Sequence, residues 1–253
     1  MNGIFTIAGR ELRALFYSPA AWVTLAVVQA ILAYLFLTQL EFYEANRAQL
    51  MRMPDAPGVT ELIGASLIGS AGVVLLLIVP LLTMRLVSEE RRNQTLSLLL
   101  TAPVSATQIV LGKYLATLAF LGVVVLLALL MPLSLLLGGT LDFGLLAAAT
   151  VGLLLLVASF AAVGLFISCL TATPMAAGAA TFGILLLLWV LDWTGSGGSE
   201  GIGPVLHYLS LLTHYDALLR GVFNTADVGY FLVLIVGSLL LGIRRLDAER
   251  LGH

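Results

Sequence analysis

The chain has 253 residues, of which 60% are hydrophobic and 10% charged, with a formal net charge of −2. Soluble domains carry about 25% charged residues, so a soluble enzyme, a disordered chain and a disulfide-framed secreted domain are all excluded. A mean hydropathy of +1.07 points to an all-α polytopic membrane protein; the charge balance offers nothing to nucleic acid, and the single cysteine, Cys169, excludes an internal disulfide.

Residues 1–18 have helical periodicity. Ile4, Phe5, Ala8, Leu12, Leu15 and Phe16 fall on one face, with Arg10 and Arg13 opposite. This predicts a helix lying in the membrane interface and carrying Arg10, Glu11 and Arg13. The bland alternative is a plain extension of the first span. Ser18-Pro19 argues against it, because the residue before proline avoids helical backbone.

A membrane span takes about 20 apolar residues. Six runs qualify, at about 20–40, 62–87, 114–137, 145–170, 174–191 and 228–243, within one transmembrane domain over 1–253. The fourth and fifth are separated only by Thr171-Ala-Thr-Pro174, which predicts a tight hairpin with Pro174 in the first turn of the new helix. No internal repeat and no signal peptide are expected. With the N-terminus inside, nine of the 12 Lys and Arg residues lie on the inner side and three, Arg47, Arg52 and Arg220, on the outer. Both termini are therefore expected in the cytoplasm.

The inner segment 88–103 combines charge and apolar surface. Ser88 reads as an N-cap, and Glu89 and Glu90 occupy the first turn, where the helix dipole favours acids. Arg91 and Arg92 follow, and Leu96, Leu99 and Leu100 form an apolar patch before Pro103. Ser105 and Gln108 make a capping box for the helix leading through Lys113 into the third span. Three readings of 88–103 stand at this point: a solvated loop, a second interfacial helix, or a short amphipathic helix on which a cytoplasmic partner docks. The outer segments differ in length. Residues 41–60 are polar, and the long stretch 192–227 starts with a Gly/Ser-rich run and then turns helical, as an external or re-entrant pair.

There is no P-loop, no His-Glu-x-x-His and no Gly-x-Ser-x-Gly, so no catalytic residue is assigned. His207, His214 and Asp216 are read as polar residues of an external helix rather than metal ligands. The span centres hold no charge, which argues against a mid-membrane ion site. Small residues recur at four-residue spacing at Ala65/Gly69, Ser66/Ser70, Ala158/Ala162, Gly164/Ser168 and Ala176/Ala180. Such faces let helices approach closely, within a chain or between copies.

Several stretches in order along the chain resemble the membrane subunit of type-2 ATP-binding-cassette exporters. They are Glu11-Leu-Arg13 with Ser18-Pro19, Ile78-Val-Pro80-Leu-Leu-Thr83-Met84-Arg85, Glu89-Glu90-Arg91-Arg92, Leu98-Leu-Leu100-x-x-Pro103-Val-Ser105 and Val110-Leu-Gly112-Lys113. Gly164-Leu-Phe-Ile-Ser168, Leu187-Leu-Trp189-Val-Leu-Asp192-Trp193 and Tyr208-Leu-Ser-Leu-Leu-Thr-His214-Tyr-x-x-x-x-Arg220-Gly221 continue the series. The likeness is closest to gliding-motility-type permeases and looser to the nitrous-oxide-reductase maturation permease. Asn93 departs from the Ser or Gly common in such proteins.

The resemblance implies a non-catalytic permease of a bacterial inner membrane. It would pair with a second permease chain, a homodimer through faces such as Ala65, Ser66, Gly69, Ser70, Ala176 and Ala180, and with two ABC ATPase subunits that bind ATP and Mg. This chain itself would hold no cofactor. Residues Glu89, Glu90, Arg91, Arg92, Leu96, Leu99 and Leu100 would belong to the coupling helix that meets the ATPase. Two modes stay open: ATP-driven movement of a substrate, or transmission of a shape change to a periplasmic or auxiliary membrane partner with nothing crossing.

Overall fold

A computed structural model describes residues 2–50, 58–95, 104–137, 140–195 and 203–251. All regular structure among them is helical. Six stretches are long and apolar enough to span a bilayer: Pro19–Leu50, Thr60–Arg92, Ala106–Leu137, Phe143–Leu170, Pro174–Leu191 and Thr225–Arg250.

Helix α1 (Asn2–Tyr17) is divided from α2 (Pro19–Leu50) by Ser18 alone. The corner is closed by Trp22, whose Nε1 donates to Phe16 O at 2.7 Å. A π-helical turn, Thr60–Ala65, leads into α3 (Ser66–Thr83). The short α4 (Ser88–Arg92) follows, then α5 (Ala106–Leu133) with a 3-10 turn to Leu137. Helices α6 (Phe143–Leu170) and α7 (Pro174–Gly195) form the expected tight hairpin. Helices α8 (Gly203–Leu209), α9 (Leu211–Leu219) and α10 (Thr225–Leu251) complete the chain.

The helices that carry the first and last predicted spans continue beyond them. α2 runs past Leu40 to Leu50, and α10 past Ile243 to Leu251. Neither extension contains Gly or Pro. The polar residues there mark where the helix leaves the apolar layer, not where it stops.

α6 is the centre of the bundle. Leu153, Leu156, Phe160, Ala161 and Ala162 are buried, and α3, α5, α7, α9 and α10 pack around it. α2, α7 and α10 instead present apolar side chains outward, such as Val23, Tyr34, Leu187 and Val233, as helices facing lipid do.

Within the 192–227 segment, α9 folds back into the bundle, whereas α8 keeps Val205 and Tyr208 exposed. α9 is wedged against α3 and α6, with Leu211, Tyr215 and Leu218 fully buried. Tyr215 Oη donates to Ile68 O at 2.6 Å. Glycines make room for it: a Cβ on Gly72 would stand 2.9 Å from Tyr215 Cε1, and one on Gly152 2.9 Å from Leu218 Cβ. Gly221, at φ +77°, ends α9 in the left-handed conformation that glycine adopts without a Cβ penalty.

Within the chain, α1 packs through Ile7 and part of its apolar face. Ile7 is buried, while Phe5 is 67% exposed. α1 lies along α5, and Gly112 fixes the contact, since a Cβ there would stand 2.7 Å from Ile7 Cγ2. Tertiary packing on α5 has selected the stripe through Ile4, Ile7, Ala8 and Leu12, rotating Phe5 out of it.

Candidate functional site: the α3–α4 junction

The two chain ends, α4 and the α6–α7 turn gather at one end of the bundle. α3 carries Pro80 near its C-terminus, and Thr83 Oγ1 bonds back to Val79 O at 2.9 Å. The chain turns over Met84–Val87 before α4 begins. Gly164 allows α6 to press against this bend; a Cβ there would stand 2.1 Å from Thr83 Oγ1.

Ser88 is not the N-cap that the sequence suggests. Its hydroxyl donates back to Met84 O, and Val87 occupies the cap position without a side-chain bond. The first amides of α4 are served from across the bundle. Ser168 Oγ accepts from Val87 N at 3.0 Å and Ser88 N at 3.1 Å, and donates to Met84 O at 3.2 Å. A buried hydroxyl of α6 thus does the work of a local cap.

The four charges of α4 divide into two pairs. Glu90 and Arg91 turn inward. Glu90 Oε1 meets Lys113 Nζ at 2.8 Å, and the same ammonium lies 3.2 Å from Glu11 Oε1 of α1. Lys113 is 2% exposed, while Glu90 Oε2 is buried with no hydrogen-bond partner. Burial raises the pKa of the Glu11 carboxyl, but the charges and hydrogen bonds of Lys113 and Arg10 outweigh it, and the net result lies below the ordinary 4.5. Arg91 reaches the carbonyls at the end of α6, Nη2 to Cys169 O at 2.7 Å and Nη1 to Thr171 O at 3.2 Å. Its Nη2 also bonds both oxygens of Glu249 on α10, at 2.6 and 2.8 Å. A cation suits a helix C-terminus, where carbonyls lack intrahelical partners.

Glu89 and Arg92 are exposed and pair with nothing among the described residues. A cleft of about 590 Å³ opens beside Glu89, lined by Glu11, Leu15, Ala21, Leu82, Glu89 and Lys113 among others.

α4 is shorter than the amphipathic helix expected to run on toward Pro103. It ends at Arg92, and Gln94 takes φ +57°. Gln94 N bonds Arg91 O at 3.1 Å and Thr95 N bonds Glu90 O at 2.9 Å, the paired closure of a Schellman turn. Leu96, Leu99, Leu100 and Pro103 lie outside the described residues. The capping box at Ser105 and Gln108 is formed as the spacing predicts, with both reciprocal bonds present.

Of the interfacial set, Arg10 and Arg13 are exposed and Glu11 is drawn inward to Lys113. The small-residue faces separate as well. A Cβ on Gly69 would stand 3.2 Å from Leu219 Cδ1, so that face packs on α9 within the chain; Ala65 is buried. Ser66 Oγ accepts from Gln39 of α2 at 3.1 Å, and Ser70 bonds back to Ser66 O. Ala176 and Ala180 are exposed on α7.

Two sets of site residues were missed from the sequence. Lys113 is the only lysine in the chain, a signal that could have singled it out. The other set lies at the opposite end of the bundle. His214 bonds through Nδ1 to Asp227 Oδ1 at 2.6 Å and through Nε2 to Tyr208 O at 2.9 Å, stacked on Tyr230 with centroids 4.2 Å apart. Its partner is Asp227 of α10, not the nearby Asp216 considered with it. Among the described residues no cluster of His, Cys, Asp and Glu could hold a metal.

No curated protein matches the chain. A family model described as "ABC-2 family transporter protein" matches residues 5–251, nearly the whole sequence. With six apolar helices and a family match that runs from α1 into the last turn of α10, the chain belongs to the ABC-2 transporter family, as a multi-pass permease of an ABC transporter.

Proposed function

We propose that this permease works in a bacterial inner membrane, with both termini in the cytoplasm, and takes up the work of a separate ABC ATPase through α4 and the residues that follow it. The observation that carries the reading is the division of charge on α4. Glu90 and Arg91 fasten the helix to α1, α5, α6 and α10, whereas Glu89 and Arg92 face outward. A partner that pushes on the outward pair pushes on the whole inner end of the bundle. ATP and Mg belong to the partner, present in two copies. A second permease chain completes the complex, with Ala176 and Ala180 the exposed small residues for close approach between copies. Alternation between inward and outward arrangements then moves a substrate outward.

A second reading, transmission of the movement to a periplasmic partner, draws on α9. Its wedge between α3 and α6 and the His214–Asp227 pair tie the opposite end of the bundle to the same helices.

The test is Leu99→Asp. At a docked apolar contact it buries an unpaired charge, which costs about 3–5 kcal/mol. The variant should insert normally yet lose co-purification with the cognate ATPase and its stimulated hydrolysis. Val233→Asp, on an exposed apolar face, should impair insertion instead. Full stoichiometric binding with coupled hydrolysis in Leu99→Asp rejects docking through this loop. Co-purification of a periplasmic protein bound to the 192–227 segment favours transmission.

A further inference from the structure

The last turn of α10 touches the α4–α5 connection at both of its ends. At the start of the connection, Glu249 takes Arg91 on both carboxylate oxygens, at 2.6 and 2.8 Å. At its finish, the next residue, Arg250, donates from Nη1 to Val104 O at 3.0 Å, immediately before the Ser105 cap of α5. Arg245, one turn earlier, lies 3.3 Å from the same Glu249 carboxylate and steadies it. The apolar stretch of α10 is already complete at Ile243, and the helix then continues through Arg244-Arg-Leu-Asp-Ala-Glu-Arg250. The bilayer does not require that extension; reaching the connection does.

We propose that Glu249 and Arg250 are positioning residues for coupling: the end of α10 is a brace that holds the end of α4 and the start of α5 at a fixed separation before a partner arrives. Anchor points already held in place need not be ordered by the partner, and affinity rises by the ordering cost that is avoided. The brace also makes α10, together with α6 through Arg91, a recipient of any push on α4. The consequence for affinity rests on the ATPase-docking reading above; the brace itself does not.

Hydrogen–deuterium exchange on the full-length permease in lipid nanodiscs tests it. The variants are Glu249→Gln, Arg250→Ala and the double variant, with exposed Asp247→Asn as the control. Amides of 88–95 should exchange about tenfold faster in Glu249→Gln, as local opening becomes easier. Arg250→Ala should speed exchange around 104–108, and the double variant both, with α6 and the rest of α5 unchanged. Arg250→Lys should recover most of the protection. Titrating the cognate ATPase into the double variant should show about tenfold weaker binding, with the maximal stimulated rate recovered at saturation. Unchanged exchange over 88–95 and 104–108 in the double variant overturns the brace. So does acceleration spread evenly through α6, which would mean a general loss of fold. Faster loop exchange with undiminished ATPase affinity upholds the brace and rejects docking at this loop.

Discussion

Ser168, in the last turns of α6, receives the backbone N–H of Ser88 at 3.1 Å and so caps a helix from another part of the bundle. The same Oγ serves Val87 N and donates to Met84 O, and both serines are fully buried. Ser168→Ala strands two buried amides and one carbonyl lone pair. Each orphaned group costs about 1–3 kcal/mol. The variant should lose several degrees of melting temperature in detergent. Ser159→Ala is the comparison, since Ser159 Oγ only bonds back to Leu155 O of its own helix; that change should be nearly neutral. Equal melting of the two variants would show that Ser168 is not a cap.

The neighbouring arginines of α4 should behave differently. Arg91→Ala removes bonds to Cys169 O, Thr171 O and Glu249 and leaves a half-buried carboxylate. Lower yield and a lower melting temperature should follow, by about 2–4 kcal/mol. Arg92→Glu changes an exposed charge and should leave melting within about 0.5 kcal/mol of wild type. Its effect should appear as slower, salt-dependent association with the ATPase, because exposed interface charges act mainly on the on-rate. Thermal melting and stopped-flow association at two ionic strengths check both. An Arg92→Glu protein that melts early while Arg91→Ala does not would reverse the assignment.

The sequence made the spans legible because the membrane imposes one demand, a long apolar run, and that demand is local. The Ser105 box and the Pro174 start were legible for the same reason, each being closed within a few residues. The candidate site was legible as a place but not as a mechanism. Glu89, Glu90, Arg91 and Arg92 read alike in sequence. Which of them face inward depends on Lys113, Glu249 and the carbonyls of α6, far along the chain. Ser88 looked like a cap because the local pattern fits one, and Ser168, which supplies the bond, lies beyond the reach of any local rule. Gly69 reads from the sequence as packing within the chain or as a seam between copies, and local spacing cannot choose, since the occupant of its groove, Leu219, belongs to a helix that folds back into the bundle.

Gly164 sets how closely α6 approaches the bend of α3. In Gly164→Ala the new methyl would overlap Thr83, with Oγ1 at 2.1 Å and Cβ at 2.7 Å from its position. Thr83 is fully buried and cannot swing aside. Overpacking of this kind costs about 1–3 kcal/mol. Thr83→Ala alone should cost less, and the double variant should melt above Gly164→Ala, because removing Oγ1 and Cγ2 returns part of the space. Strictly additive losses in this double-mutant cycle would place the strain elsewhere.

Lys113 ties α5 to Glu90 of α4 and Glu11 of α1 from a nearly closed position. Removing it strands the partly buried Glu90 carboxylate and leaves Glu11 with Arg10 alone. Lys113→Met should therefore cost about 3–5 kcal/mol at neutral pH, more than Glu11→Gln, which leaves the Lys113–Glu90 pair in place. The pH dependences should run in opposite directions. In the wild type the Glu11 pKa is lowered from 4.5, so its contribution is complete above that value and is lost as the pH falls through the lower folded pKa. In Lys113→Met the Glu11 carboxyl keeps only Arg10 against its burial and the unpaired Glu90 carboxylate nearby, which raises its folded pKa above the ordinary 4.5. Proton uptake then favours the folded variant, and it recovers stability as acid is added. The gap in melting temperature between wild type and Lys113→Met should be widest near neutral pH and shrink as the pH approaches 4.5, the ordinary glutamate value. Melting series in one detergent at several pH values measure it. A gap that stays constant from neutral pH down would mean that the ammonium of Lys113 does not balance these carboxylates, and that its loss is felt only through packing.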